Sequence, residues 1–194
     1  MRFIAPAFGL FLLSSSAAAG PNAPIDLAKL PERCRAVAEI PHSARSAGPA
    51  FAARVSAASC LADVALADVP LMDNDASIKA VDAAARPIIA TLDEVIAHGD
   101  ANWQMIALYM KGDLLFGLQA RLRSTIPPVT PQTPLEAAQA IERRHDALEP
   151  KLEHWGAEAT ATLRQFSALA RANPQVVGAS PVLQSMAQRT EGLL

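Results

Sequence analysis

The chain has 194 residues, with 17 Lys and Arg against 19 Asp and Glu, a formal net charge of −2 and only 5% aromatic residues. The length suits one domain, and the balanced, interspersed charge excludes a dedicated nucleic-acid face or a polybasic membrane anchor. So few aromatic rings also exclude a stacking platform for sugars or single strands, while abundant alanine favours helix throughout.

Met1 and Arg2 make a short basic start, an apolar run covers residues 3–13, and Ser14 to Ser16 lead into Ala17-Ala18-Ala19-Gly20. This is the pattern of a secretory signal with a small-residue cleavage site. The run is too short to anchor the chain across a bilayer. The expectation is an exported chain, periplasmic or extracellular, in which residues 1–19 leave between Ala19 and Gly20. Residues 20–194 then form a single all-helical domain with no transmembrane segment. The two cysteines, Cys34 and Cys60, are predicted to pair in that oxidising compartment. Two free thiols or a metal pair are the alternatives, and the spacing is not the C-x-x-C of redox or zinc sites.

A first helix is predicted over residues 25–40, or from Pro31 onward, carrying Cys34. Pro49 opens a second helix that runs to about Val69 and carries Cys60. After a turn at 70–74, Asp75 is a candidate N-cap. Ile78, Val81, Ala85, Ile88, Leu92 and Val95 then keep one helical face, with a kink or break expected at Pro87. Asp100 caps a fourth helix to about Thr125. Its apolar residues nearly encircle it, which predicts the buried central helix, with Gly112 and Gly117 allowing close approach.

Residues 126–134 hold four prolines and read as a semi-stiff connector between two helical halves. Thr133-Pro134-Leu135-Glu136 is a capping box with a first-turn proline. The long helix that follows carries Leu135, Ala138, Ile141, His145, Leu148, Leu152, Trp155, Ala159, Leu163 and Phe166 on one face, with a kink expected at Pro150. Asn173-Pro174 stops it. Ser180-Pro181 starts a last helix to about Gly192, with Val182, Leu183 and Met186 predicted inward.

Chemistry-bearing residues are sparse. Glu142 and His145 form one Glu-x-x-His on the long helix, and helical di-iron sites require two such motifs and two further carboxylates. Glu94 and His98 share a helical face and could complete a two-helix metal site with them. The competing readings are a structural His145 and a surface Glu94–His98 pair. There is no G-x-S-x-G turn, no glycine-rich phosphate loop and no C-x-x-C-H haem motif. A non-catalytic role without a cofactor is therefore expected.

Trp103-x-x-Ile106-Ala107, followed by Tyr109, Gly112-Asp113-Leu114 and Pro131, resembles one degenerate copy of a tetratricopeptide-like helical hairpin over residues 103–131. The resemblance implies a scaffold of stacked helix pairs that binds partner proteins. The sequence thus predicts an all-α chain of five or six helices, in an irregular bundle or stacked hairpins, with one disulfide between the first two. The expected function is an exported, non-catalytic interaction protein of the cell envelope whose partner is another protein. The alternative is a helical bundle that binds a metal, haem or an apolar ligand.

Overall fold

The computed structural model describes residues 24–35, 38, 48–68, 75–123 and 133–194, the side chains of Ala65, Asp68 and His145 excepted. The leader with its Ala19–Gly20 boundary and the connector up to residue 132 lie outside the described residues. A residue before proline is pushed to extended backbone, and Leu30, before Pro31, has φ −58° and ψ 143°. The helix expected over 25–40 is divided there. A short 3-10 helix, Leu27–Lys29, is capped by the Asp26 carboxylate, and the helical turn α1, Glu32–Arg35, follows Pro31.

Six longer helices follow: α2 (Gly48–Asp68), α3 (Asp75–His98), α4 (Ala101–Arg123), α5 (Pro134–Ala172), α6 (Pro174–Ala179) and α7 (Pro181–Glu191). There is no strand among the described residues. Asp75 is the first residue of α3 rather than its cap, a position where its charge suits the helix dipole. The Asp100 carboxylate accepts from the Trp103 amide at 3.1 Å and so starts α4 as expected. At α5 the box closes in both directions: Glu136 N donates to Thr133 Oγ1, and Thr133 N donates to the Glu136 carboxylate.

The predicted break at Pro87 does not occur, and Pro150 does not end α5. Each proline frees one carbonyl, at Ala83 and Asp146, and both of those residues are exposed to water. The α6 turn was not expected, because Val176, Val177 and Gly178 are poor helix formers. Pro174 and Pro181 nonetheless each start a helix in the position that proline favours.

The all-round apolar α4 is central, packing against α2, α3, α5, α6 and α7. Val81, Ile88, Leu92 and Val95 of α3 meet Leu115, Leu118 and Leu122 of α4 and Leu148, Leu152 and Trp155 of α5 in the main core. Met105, Leu108 and Tyr109 meet Leu163, Phe166 and Leu183 in a second cluster, where Tyr109 and Phe166 sit edge to face at 5.9 Å. Three large apolar positions differ from expectation. Leu135, at the start of the α5 stripe, is 68% exposed, Ile141 63% and Val182 55%. Arg144 donates to the carbonyls of Leu122 and Arg123, so α4 ends level with it and α5 runs on beyond. Ile141 keeps the direction of the core stripe and has no helix α4 left to face.

A buried hydroxyl is one of the ties on the N-terminal segment. Thr91 Oγ1 accepts from the Ile25 amide at 2.7 Å and donates to the Pro87 carbonyl at 2.8 Å. Thr91→Val keeps the shape and leaves the Ile25 N–H unpaired. The expected loss is about 1–2 kcal/mol in urea unfolding, with faster hydrogen exchange at Ile25. An unchanged midpoint would mean that water replaces the hydroxyl.

Candidate functional site

Cys34 on α1 and Cys60 on α2 are joined as a disulfide, with Cα atoms 5.7 Å apart. Cys34 is fully buried beside Leu30, Ala38 and Ala57. The bond fastens the N-terminal elements to α2.

The polar side chains between the helices act as struts. Lys111 of α4 reaches Asp93 of α3 at 2.9 Å and Glu158 of α5 at 3.0 Å. Burial opposes its charge, but the two carboxylates outweigh that and raise its pKa. Lys151 of α5 lies over the Trp155 ring and bonds Asp82 of α3 at 2.6 Å, and Arg86 adds a second cation at 2.9 Å. Burial alone would raise the Asp82 pKa, yet these two cations hold it below the ordinary carboxylate range. The Arg54 guanidinium holds Glu94 low against a smaller burial effect, with His98 adding to the lowering.

A depressed native carboxylate adds stability that is complete at neutral pH and is lost as the pH falls below about 4. Stability is therefore expected to fall in that window, and Asp82→Asn is expected to flatten part of the acid limb. Because Asp82 is partly solvated, its loss at neutral pH should stay under about 1 kcal/mol. Urea midpoints of both proteins across acid pH check this.

These contacts also set the level of each candidate ligand. Asp82 meets Lys151, and Asp93 shares Lys111 with Glu158, so α3 and α5 run parallel. Glu94 therefore sits near the level of Glu158, about 24 Å along α5 from Glu142 at 1.5 Å per residue. The structure does not bring Glu94 and His98 together with Glu142. Glu94 is held by Arg54, and His98 and Glu142 are exposed. The His145 side chain lies outside the described residues. Among the described residues no group of three His, Cys, Asp or Glu gathers as a metal site would require.

The residues that do converge were not singled out from the sequence. Arg164, Ser167 and Arg171 follow one another at i, i+3 and i+7 on α5, and so share one side of it. They form one wall of a groove of about 590 Å³. Phe166 and Ala170 of α5, Pro174 and Val177 of α6, and Gln184, Ala187 and Glu191 of α7 also line it, with Leu194 beyond α7. None of the Arg164, Ser167 and Arg171 side chains has a hydrogen bond or ion pair with any described residue. By contrast, Arg35, Arg54, Arg86, Arg121 and Arg144 are all engaged. The sequence signal was the polar i, i+3, i+7 stripe. It becomes a wall only because α6 and α7 fold back beside it.

A smaller groove of about 370 Å³ lies between α2 and α4, lined by Ala62, Asp63, Asp113 and Gly117, and its one cation, Arg121, is bonded to the Leu66 carbonyl. No helix among the described residues is long and apolar enough to cross a membrane. No family model, curated protein or solved structure matches the chain.

Proposed function

We propose that this chain is a non-catalytic interaction protein that works outside the cytoplasm, in the cell envelope. The observation that carries the reading is the Cys34–Cys60 disulfide. Such bonds persist in oxidising compartments and are rare in reducing ones. The basic, apolar and small-residue order of residues 1–20 supports the same compartment. A protein partner is the expected occupant of a helical-hairpin scaffold of the tetratricopeptide-like kind, and the solvent-facing continuation of the α5 stripe at Ile141 is the surface for it.

Intact mass spectrometry of the chain recovered from the exported fraction tests the compartment. A species starting at Gly20 and two hydrogens light supports it. A full-length or reduced species overturns it. A photoreactive residue at Ile141 tests the partner. A saturable crosslink to one envelope protein supports the surface, and its absence removes it.

A second reading, a carrier of an apolar ligand, is favoured by the groove at the end of α5. Its volume and largely apolar lining match those of sites that hold small molecules.

A further inference from the structure

We infer that the groove between α5 and the α6–α7 pair binds a single-chain anionic amphiphile, with its acidic head at Arg164, Ser167 and Arg171 and its alkyl chain along Val177, Ala187 and Phe166. The inference rests on the second reading above and adds the chemistry of the ligand. Two features point the same way. The apolar floor and far wall offer an alkyl chain a surface removed from water. The α5 side presents two guanidinium groups and a hydroxyl with no side-chain partner among the described residues, and Glu191 is the acidic side chain of the lining, with the Leu194 carboxylate also at its edge.

The spacing is what a single head group needs. Ser167 lies between the two arginines, three residues after one and four before the other, so both flexible side chains can lean over the same hydroxyl. A guanidinium is a planar fork that donates two parallel hydrogen bonds to a carboxylate or a phosphate, and it does so most strongly beside low-dielectric surface. Each arginine is exposed and its side chain makes no bond to a described residue, so replacing it should leave the fold intact. A neutral ligand would gain nothing from the cationic wall, and a compact anion would gain nothing from the apolar one. Only a molecule with both parts uses the whole groove.

The test is displacement of a dansyl-labelled fatty acid from the whole protein, monitored by dansyl emission. The competitors are lauric acid, lauryl phosphate and lauryl alcohol, which share a chain and differ in the head. Lauric acid or lauryl phosphate is expected to displace the probe at least about tenfold better than the alcohol. Which of the two acids is stronger assigns the head as carboxylate or phosphate. Arg164→Gln and Arg171→Gln are each expected to weaken the acids about tenfold with unchanged circular dichroism, while Glu191→Gln tightens them by removing a like charge. Asp113→Asn, in the other groove, should change nothing. Equal displacement by lauryl alcohol would keep the apolar-ligand reading and overturn the assignment of the head. Failure of the probe to bind at all would overturn both.

Discussion

Replacing Cys34 and Cys60 together by alanine is expected to lower the unfolding temperature by roughly 6–12 °C, which corresponds to about 3 kcal/mol for a domain of this size. The bond closes a loop between positions 26 residues apart, and so restricts the unfolded chain. Its effect in the folded state is local. A helix of four residues such as α1 has no stability of its own, since nucleating a turn is unfavourable. Besides the disulfide, the small apolar cluster of Leu30, Ala38 and Ala57, with a few half-buried neighbours, holds it against α2. Alanine is the right replacement because Cys34 is fully buried, and a serine hydroxyl there would need a partner. The melt of the reduced wild-type protein should coincide with that of the double variant. If the double variant melts at the wild-type temperature, the N-terminal hairpin is not part of the cooperative unit, and the disulfide serves something other than stability.

The sequence signals that held were local ones. The Thr133–Glu136 box needs only atoms within one turn, and it is present in both directions. Asp100 likewise caps α4 from within its own turn. Periodicity identified the inward face of α3, because Val81, Ile88 and Leu92 recur on one side of a helix packed along its length. The same rule ran past its domain at Ile141. Periodicity gives the direction of a side chain and not the presence of a neighbour, and α4 ends at Arg123 before reaching that level. A local rule predicts a kink or break at Pro87, and the helix runs unbroken through it because packing along the rest of α3 outweighs one lost hydrogen bond. The groove was illegible for a further reason. Arg164, Ser167 and Arg171 look like any solvated stripe until α6, itself unexpected, turns the chain back beside them.

Where two helices press closest, the outcome of a single methyl group should depend on its neighbour. At Gly112, where α4 crosses α5, an added Cβ would lie 2.6 Å from both Cγ and Cδ2 of Leu163 and 3.5 Å from the Ala159 carbonyl. Gly112→Ala gains up to about 1 kcal/mol of helix propensity and pays for it with about 1–3 kcal/mol of overpacking, so the net effect is a loss. Leu163 is fully buried beside Phe166 and Tyr109, and Leu163→Ala is expected to lose about 2–5 kcal/mol. In the Leu163→Ala background the clash is gone and the new methyl group fills part of the cavity. There Gly112→Ala should stabilise, giving a coupling of about 1–3 kcal/mol in a double-mutant cycle. Gly117 on the same helix is the control: a Cβ there meets nothing within 4 Å, so Gly117→Ala should stabilise the wild-type chain by up to about 1 kcal/mol. Additive effects at 112 and 163, measured by urea unfolding, would mean that α5 shifts to admit the methyl group. The α4–α5 contact would then be a yielding surface rather than a fixed one.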